Sequence, residues 1–158
     1  MPALTAVLHT RNDALRLGRA LETLYPCDEI VVVDHGSRDG TLRVAMEYGA
    51  RVVAAEQTAA SAQFLAGVNS GWILCLDPRE SLTEALAASL FEWKSEPVAA
   101  AAVFSVFLRE ETTEGWVENP SAQTRLVSAG WNRWHGHLPA NDPSAVALEG
   151  ELLHFVFP

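Results

Sequence analysis

Short, unbroken apolar runs recur along this chain, and segments with helical spacing separate them. The clearest run is Ile30-Val31-Val32-Val33. Four consecutive β-branched residues leave no polar face, so the pattern predicts a strand buried on both sides. The run stops at Asp34, a glycine-punctuated loop follows, and a helical pattern begins at Thr41. Residues 4–8 form an earlier run, closed by His9-Thr10-Arg11-Asn12-Asp13. Asn12 or Asp13 can cap a helix whose apolar positions are Leu15, Leu17, Leu21 and Leu24, with Pro26 ending it. The second helix, started by Asp39 or Thr41, carries Leu42, Val44, Ala45, Met46 and Tyr48, and Gly49 suits the position just past its end. Residues 51–54 read as a third strand. The order β-α-β-α-β implies a parallel sheet with right-handed crossovers.

The second half is less regular. Residues 58–68 are Ala-rich and read as a helix broken by Gly71. Residues 72–76 are a further buried strand, ending on Asp77 and Pro78. Ser81 or Thr83 can cap a helix over 82–93, because Leu82, Leu86, Leu90 and Trp93 fall on one face. Residues 98–108 read as a long strand and 110–115 as a hairpin turn. Short strands are expected at 124–127, 131–134 and 152–157. Ligands of open parallel sheets sit beyond the carboxyl ends of the strands. Asp34, His35 and Asp77 fall there. A turn cap is the alternative role for Asp34.

The remaining bulk properties narrow the partners. The chain has 158 residues, enough for one core, and nearly half are hydrophobic. Its formal net charge of -9 disfavours nucleic acid or anionic lipid as the main partner, without excluding a nucleotide in a local pocket. Cys27 and Cys75 have neither metal-ligand spacing nor a disulfide framework, and Cys75 reads as a core thiol. No signal-peptide pattern and no membrane-length apolar stretch is seen, so the expected location is the cytoplasm.

Seven pieces of the chain match a known family in order. They are residues 4–13 (Leu-Thr-Ala-Val-Leu-His-Thr-Arg-Asn-Asp), 28–41 (Asp-Glu-Ile-Val-Val-Val-Asp-His-Gly-Ser-Arg-Asp-Gly-Thr), 47–52, 71–80 (Gly-Trp-Ile-Leu-Cys-Leu-Asp-Pro-Arg-Glu), 124–127, 133–136 and 152–155. On these the chain resembles the inverting glycosyltransferases of family 2, nearest the bacterial lipopolysaccharide-core subgroup. His9 to Asp13 contains no glycine, which argues against nucleotidyltransferases and dinucleotide binders. The resemblance implies an α/β, GT-A-like three-layer sandwich with a mostly parallel central sheet. It implies one domain, with residues 1–97 as the nucleotide-binding half and 98–158 as a reduced acceptor-side half. The implied activity is transfer of a sugar, with inversion, from a UDP-linked donor to a saccharide or lipid-saccharide acceptor.

Residue by residue, the resemblance places Thr10, Asn12, Asp34, His35 and Asp77 at the nucleotide. It places Asp77, Glu80 and His154 at a divalent cation, Mg²⁺ or Mn²⁺, which would neutralise the leaving diphosphate. The departures are specific. The second acid of the family's acid motif is replaced by Arg79, giving Leu76-Asp77-Pro78-Arg79-Glu80. A guanidinium there opposes a cation, or neutralises the diphosphate itself. An Arg-Asn pair usual before this strand is replaced by Ala62-Gln63-Phe64-Leu65. Residues 133–140 offer no acid where the subgroup usually has one, so His135, His137 and Asp142 are the candidate bases for the acceptor hydroxyl. His9 belongs at the same sheet edge as His35. Trp116, Trp131 and Trp134 either stack a sugar or close a small core. These departures leave a second reading open: a degenerate relative that binds nucleotides, sugars or proteins without catalysis.

Overall fold

The apolar runs at 4–8, 30–33 and 72–76 lie side by side in the structure, a computed structural model that describes residues 2–55, 71–95 and 102–158. Strand β1 (Leu4–Thr10) is central. It pairs in parallel with β2 (Glu29–Asp34) on one side and β4 (Trp72–Leu76) on the other. β3 (Arg51–Ala54) adds in parallel beyond β2. Chain order therefore runs outward through β1, β2 and β3 and returns to the far side of β1 at β4. This reversal is the topological switch point at which α/β sheets open a crevice. Val31, Val32 and Val33 are at most 1% exposed, which is the burial on both faces that the β-branched run demands.

Beyond β4 the sheet turns mixed. β8 (Gln123–Ser128) runs antiparallel between β4 and β6 (Val103–Thr112). β11 (Val146–His154) lies parallel to β6, and β5 (Glu80–Leu82) closes the far edge against β11. β7 (Gly115–Glu118) pairs with β6 off this path. Six of the nine strands (β1, β2, β3, β4, β6 and β11) point the same way, so the central sheet is mostly parallel. β9 (Trp134–His135) and β10 (Leu138–Pro139) form a separate small hairpin.

The two faces are covered differently. Helices α1 (Ala14–Leu21), α2 (Thr41–Glu47) and α3 (Glu84–Ser95) share one face. There Leu17, Leu21, Ala45, Leu86 and Leu90 pack on Leu4, Ala6, Leu8, Val32 and Leu74. Each such leucine contributes about 1.5–3 kcal/mol by leaving water. On the other face Val7, Val31, Val33, Ile73 and Cys75 meet Trp131, Trp134 and Leu138 of the loop and hairpin. These two tryptophans therefore serve a core, while Trp116 is exposed and lies edge-on to Phe155. Burial pushes the Cys75 thiol up to about 12, consistent with an inert core thiol.

Local expectations hold in part. Thr83, not Ser81, caps α3, its Oγ1 accepting from Leu86 N–H at 3.2 Å. α3 begins at Glu84 because residues 80–82 are recruited as an edge strand. Asp13 occupies the cap position of α1 without a side-chain cap bond. The Ala14 N–H is instead taken by Asp39 of the next loop at 3.2 Å. Residues 131–134 are not a strand; only Trp134 joins one, because the segment folds flat over the second face. The hairpin turn is tighter than 110–115, since pairing persists to Thr112 and resumes at Gly115. β11 starts earlier than expected and carries a bulge between Ala147 and Glu151. Gly150 sits in it at φ +94, where a Cβ would lie 2.3 Å from the Leu86 backbone nitrogen. The expected helix at 58–68 and the start of the strand expected at 98 lie outside the described residues.

Candidate functional site

Parallel pairing aligns the carboxyl ends of β1 and β2 and sets Thr10 opposite Asp34. Their side chains share the helix-covered face, and the Thr10 hydroxyl donates to Asp34 Oδ1 at 2.9 Å. Ser37 N–H donates to Oδ2 at 2.9 Å and Ser37 Oγ to Oδ1 at 2.5 Å. Asp34 thus caps its own turn and ties it to β1. Burial pushes its carboxyl up, but the Ser37 and Thr10 hydrogen bonds outweigh this and hold it below the ordinary value. Asn12 stands at φ +55, a left-handed conformation that asparagine tolerates better than most residues. Its N–H donates to Ser37 Oγ at 2.9 Å, and its Oδ1 accepts from Arg38 N–H at 2.8 Å. The two loops after β1 and β2 are therefore knitted into one rim.

That rim borders a cavity of about 830 Å³ lined by Arg11, Asn12, His35, Gly36, Arg38 and Ala55. Two arginines line it in a chain of net charge -9. Neither arginine was singled out from the sequence. Their positions beside Asn12 and Ser37, in loops leaving adjacent strand ends, were the available signal.

The end of β4 is built otherwise. Arg79 folds back on Asp77, Nε to Oδ1 at 3.0 Å, and both side chains are partly exposed. This contact holds Arg79 above its ordinary value. Glu80 is buried: Arg125 Nη1 reaches its Oε1 at 2.5 Å and Arg125 Nη2 its Oε2 at 3.0 Å. His154 Nδ1 lies 3.1 Å from Oε2, and Asp77 N–H donates to Oε1 at 2.9 Å. Burial raises the Glu80 carboxyl, yet the His154 and Arg125 hydrogen bonds and the Arg125 charge overcome this and pull it to about 2. Asp77, Glu80 and His154 are thus neighbours, with the two carboxylates engaged by Arg79 and Arg125. Arg125 was the residue that sequence reasoning missed. An arginine directly before Leu126-Val127, within a short strand-like segment, was the available sign of a buried acid partner.

The candidate bases separate. Asp142 binds Arg133 at 2.5 Å and takes both the N–H and Oγ of Ser144, which hold its carboxyl below the ordinary value. His135 is exposed in β9. His137 lies in the β9–β10 turn and stacks on His9, ring centroids 4.0 Å apart.

Comparison with known proteins places the chain. The profile of Glycosyl transferase family 2 matches residues 5–153, and the chain belongs to that family. A TPR repeat-containing protein of Synechococcus elongatus is 36% identical over 122 residues, covering 74% of this chain and 30% of that protein. An uncharacterized glycosyltransferase of Rickettsia felis is 31% identical over 90 residues, covering 54% of this chain and 32% of its own length. The chain thus spans about a third of the length of these curated relatives. Among solved structures, glucosyl-3-phosphoglycerate synthase from Mycobacterium tuberculosis, in complex with Mn²⁺, UDP and glucosyl-3-phosphoglycerate, aligns at TM-score 0.51 and 18% identity, covering 72% of this chain and 46% of that one. Mannosyl-3-phosphoglycerate synthase from Rubrobacter xylanophilus aligns at 0.54 and 22% identity, covering 72% and 41%. The structural likeness shows a shared α/β fold with a mostly parallel curled sheet, the GT-A-like architecture expected from the sequence. No described helix is long and apolar enough to cross a membrane.

Proposed function

We propose that this chain is the nucleotide-binding and transfer unit of an inverting glycosyltransferase that takes a UDP-linked sugar to a saccharide acceptor. The observation that carries this is the cavity at the β1–β2 carboxyl edge, where Arg11 and Arg38 face a rim ordered by Thr10, Asn12 and Asp34. Two cationic residues beside hydrogen-bonding loop groups suit a nucleoside diphosphate. Membership of the family supports transfer over a purely binding role.

The acid corner bears on how the diphosphate charge is neutralised. Mg²⁺ and Mn²⁺ need free carboxylate oxygens. Here Asp77 already carries the Arg79 guanidinium, and Glu80 is enclosed by Arg125 and His154. As arranged, this donor set fits a hard cation poorly. Arg79, partly exposed and hinged on Asp77, supplies the positive charge toward the departing diphosphate. His135, exposed on the hairpin, accepts the acceptor's proton, since Asp142 is engaged by Arg133 and Ser144.

Titration calorimetry with UDP tests the reading. UDP should bind without added metal, and Arg38→Glu should weaken binding at least about tenfold, which is 1.4 kcal/mol. Absence of binding at millimolar UDP, with and without Mn²⁺, would overturn it.

A further inference from the structure

Strand alternation has a second consequence at the same edge. Leu8 and Thr10 project to the helix-covered face, so His9 projects with Val7 to the other. Val32 and Asp34 likewise leave Val33 and His35 on that second face. The β9–β10 hairpin packs on this face through Trp134 and Leu138. Its turn carries His137 to the same point. Three imidazoles from three separate segments converge there: Nδ1 of His9 lies 2.9 Å from Nε2 of His35, and His137 stacks on both rings, with centroids at 4.0 and 4.7 Å. One ring nitrogen from each of the three falls within 4.8 Å of the others.

From this we propose that His9, His35 and His137 form a binding site for one borderline divalent transition ion, Zn²⁺ foremost. Zinc binds imidazole nitrogen at about 2.0–2.1 Å, so tetrahedral ligands stand about 3.3 Å apart. Reaching that spacing takes a slight opening of the His9–His35 contact, an approach of up to about 1.5 Å by the third nitrogen, and a turn of the stacked His137 ring to aim its nitrogen at the same point. Three imidazole nitrogens suit Zn²⁺, Ni²⁺ or Cu²⁺ and not Mg²⁺. They leave a fourth position for water or a ligand oxygen. The site is separate from the Asp77–Glu80 corner, where the family resemblance places its cation. It depends on the fold alone and not on the transferase reading. Bound metal pins the hairpin to the strand ends beside the cavity that His35 lines.

The test uses the tag-free full chain, stripped with chelator and titrated with ZnCl₂, with bound zinc counted by elemental analysis. One ion per chain is expected, with a rise in Tm of about 5 °C or more at a hundredfold excess over Kd. His137→Ala, at an exposed turn, should keep the far-ultraviolet dichroism of the parent and weaken zinc at least about tenfold; His154→Ala should not change it. X-ray absorption of the zinc-loaded parent should show three imidazole ligands. No stoichiometric zinc in the folded parent, or equal affinity in His137→Ala, overturns the proposal. Zinc lost in His154→Ala but retained in His137→Ala assigns the metal to the acid corner and also overturns it. UDP plays no part in these readouts, so failure of nucleotide binding leaves them interpretable.

Discussion

Asp34 and Asp77 each close a buried parallel strand, and in the sequence they look equivalent. Their surroundings differ in kind. Asp34 is held by neutral donors, the hydroxyls of Thr10 and Ser37 and a backbone N–H. Its negative charge stays net and its turn is rigid. Asp77 meets a guanidinium from its own loop, and the acid three residues on, Glu80, is enclosed with Arg125 and His154. One strand end therefore orders loops around a cavity, and the other neutralises charge inside the protein. β1 stands between them, so the two acids share an edge without sharing hydrogen bonds.

The contrast can be broken most forcefully at Glu80. Glu80→Ala leaves the buried Arg125 charge without its counter-ion, and chemical denaturation should show a loss of about 3–5 kcal/mol. Replacing both, as Glu80→Leu with Arg125→Met, should recover most of it, because two desolvated charges are then removed together.

The acid limb of stability should report the same corner. Glu80 titrates at about 2 when folded against an ordinary 4.5, so between these values the unfolded chain holds a proton that the folded chain lacks. Its contribution is complete above about pH 4.5 and is lost as pH falls toward 2. Thermal melts across that window should steepen in the parent and flatten in the Glu80→Leu, Arg125→Met variant.

At the other strand end, Asp34→Ala leaves the Thr10 and Ser37 donors without their acceptor. Urea melts should show a cost of about 1–3 kcal/mol, smaller than at Glu80 because the serine can turn to water. UDP titration of this variant should show weaker binding, since the rim that Asn12 and Arg38 share loses its anchor.

Arg79→Ala should have the smallest effect on stability, under about 1 kcal/mol, because the pair is partly exposed. Its effect should be on ligand chemistry. With Asp77 released, UDP binding should become dependent on Mn²⁺ where the parent's is not. Equal Mn²⁺ dependence in both would remove Arg79 from its assigned role.

Local sequence determined much of this protein. The β-branched run 30–33 and the apolar runs 4–8 and 72–76 read as buried strands, and Asp34 and Asp77 read as their ends at the carboxyl edge of a parallel sheet. Gly49 at φ +77 ends α2 as its position suggested. What the sequence could not show was pairing between distant segments. Arg125 finds Glu80 across 45 residues, and His137 joins His9 and His35 through a hairpin that no periodicity marked. Edge strand β5 took Leu82, expected as the first helical residue, because β11 offered it a partner. Periodicity records which face a residue presents to its neighbours in the chain. Which distant side chain meets that face is settled by how the elements pack, and here that packing decided which acids are held by neutral donors and which by cations.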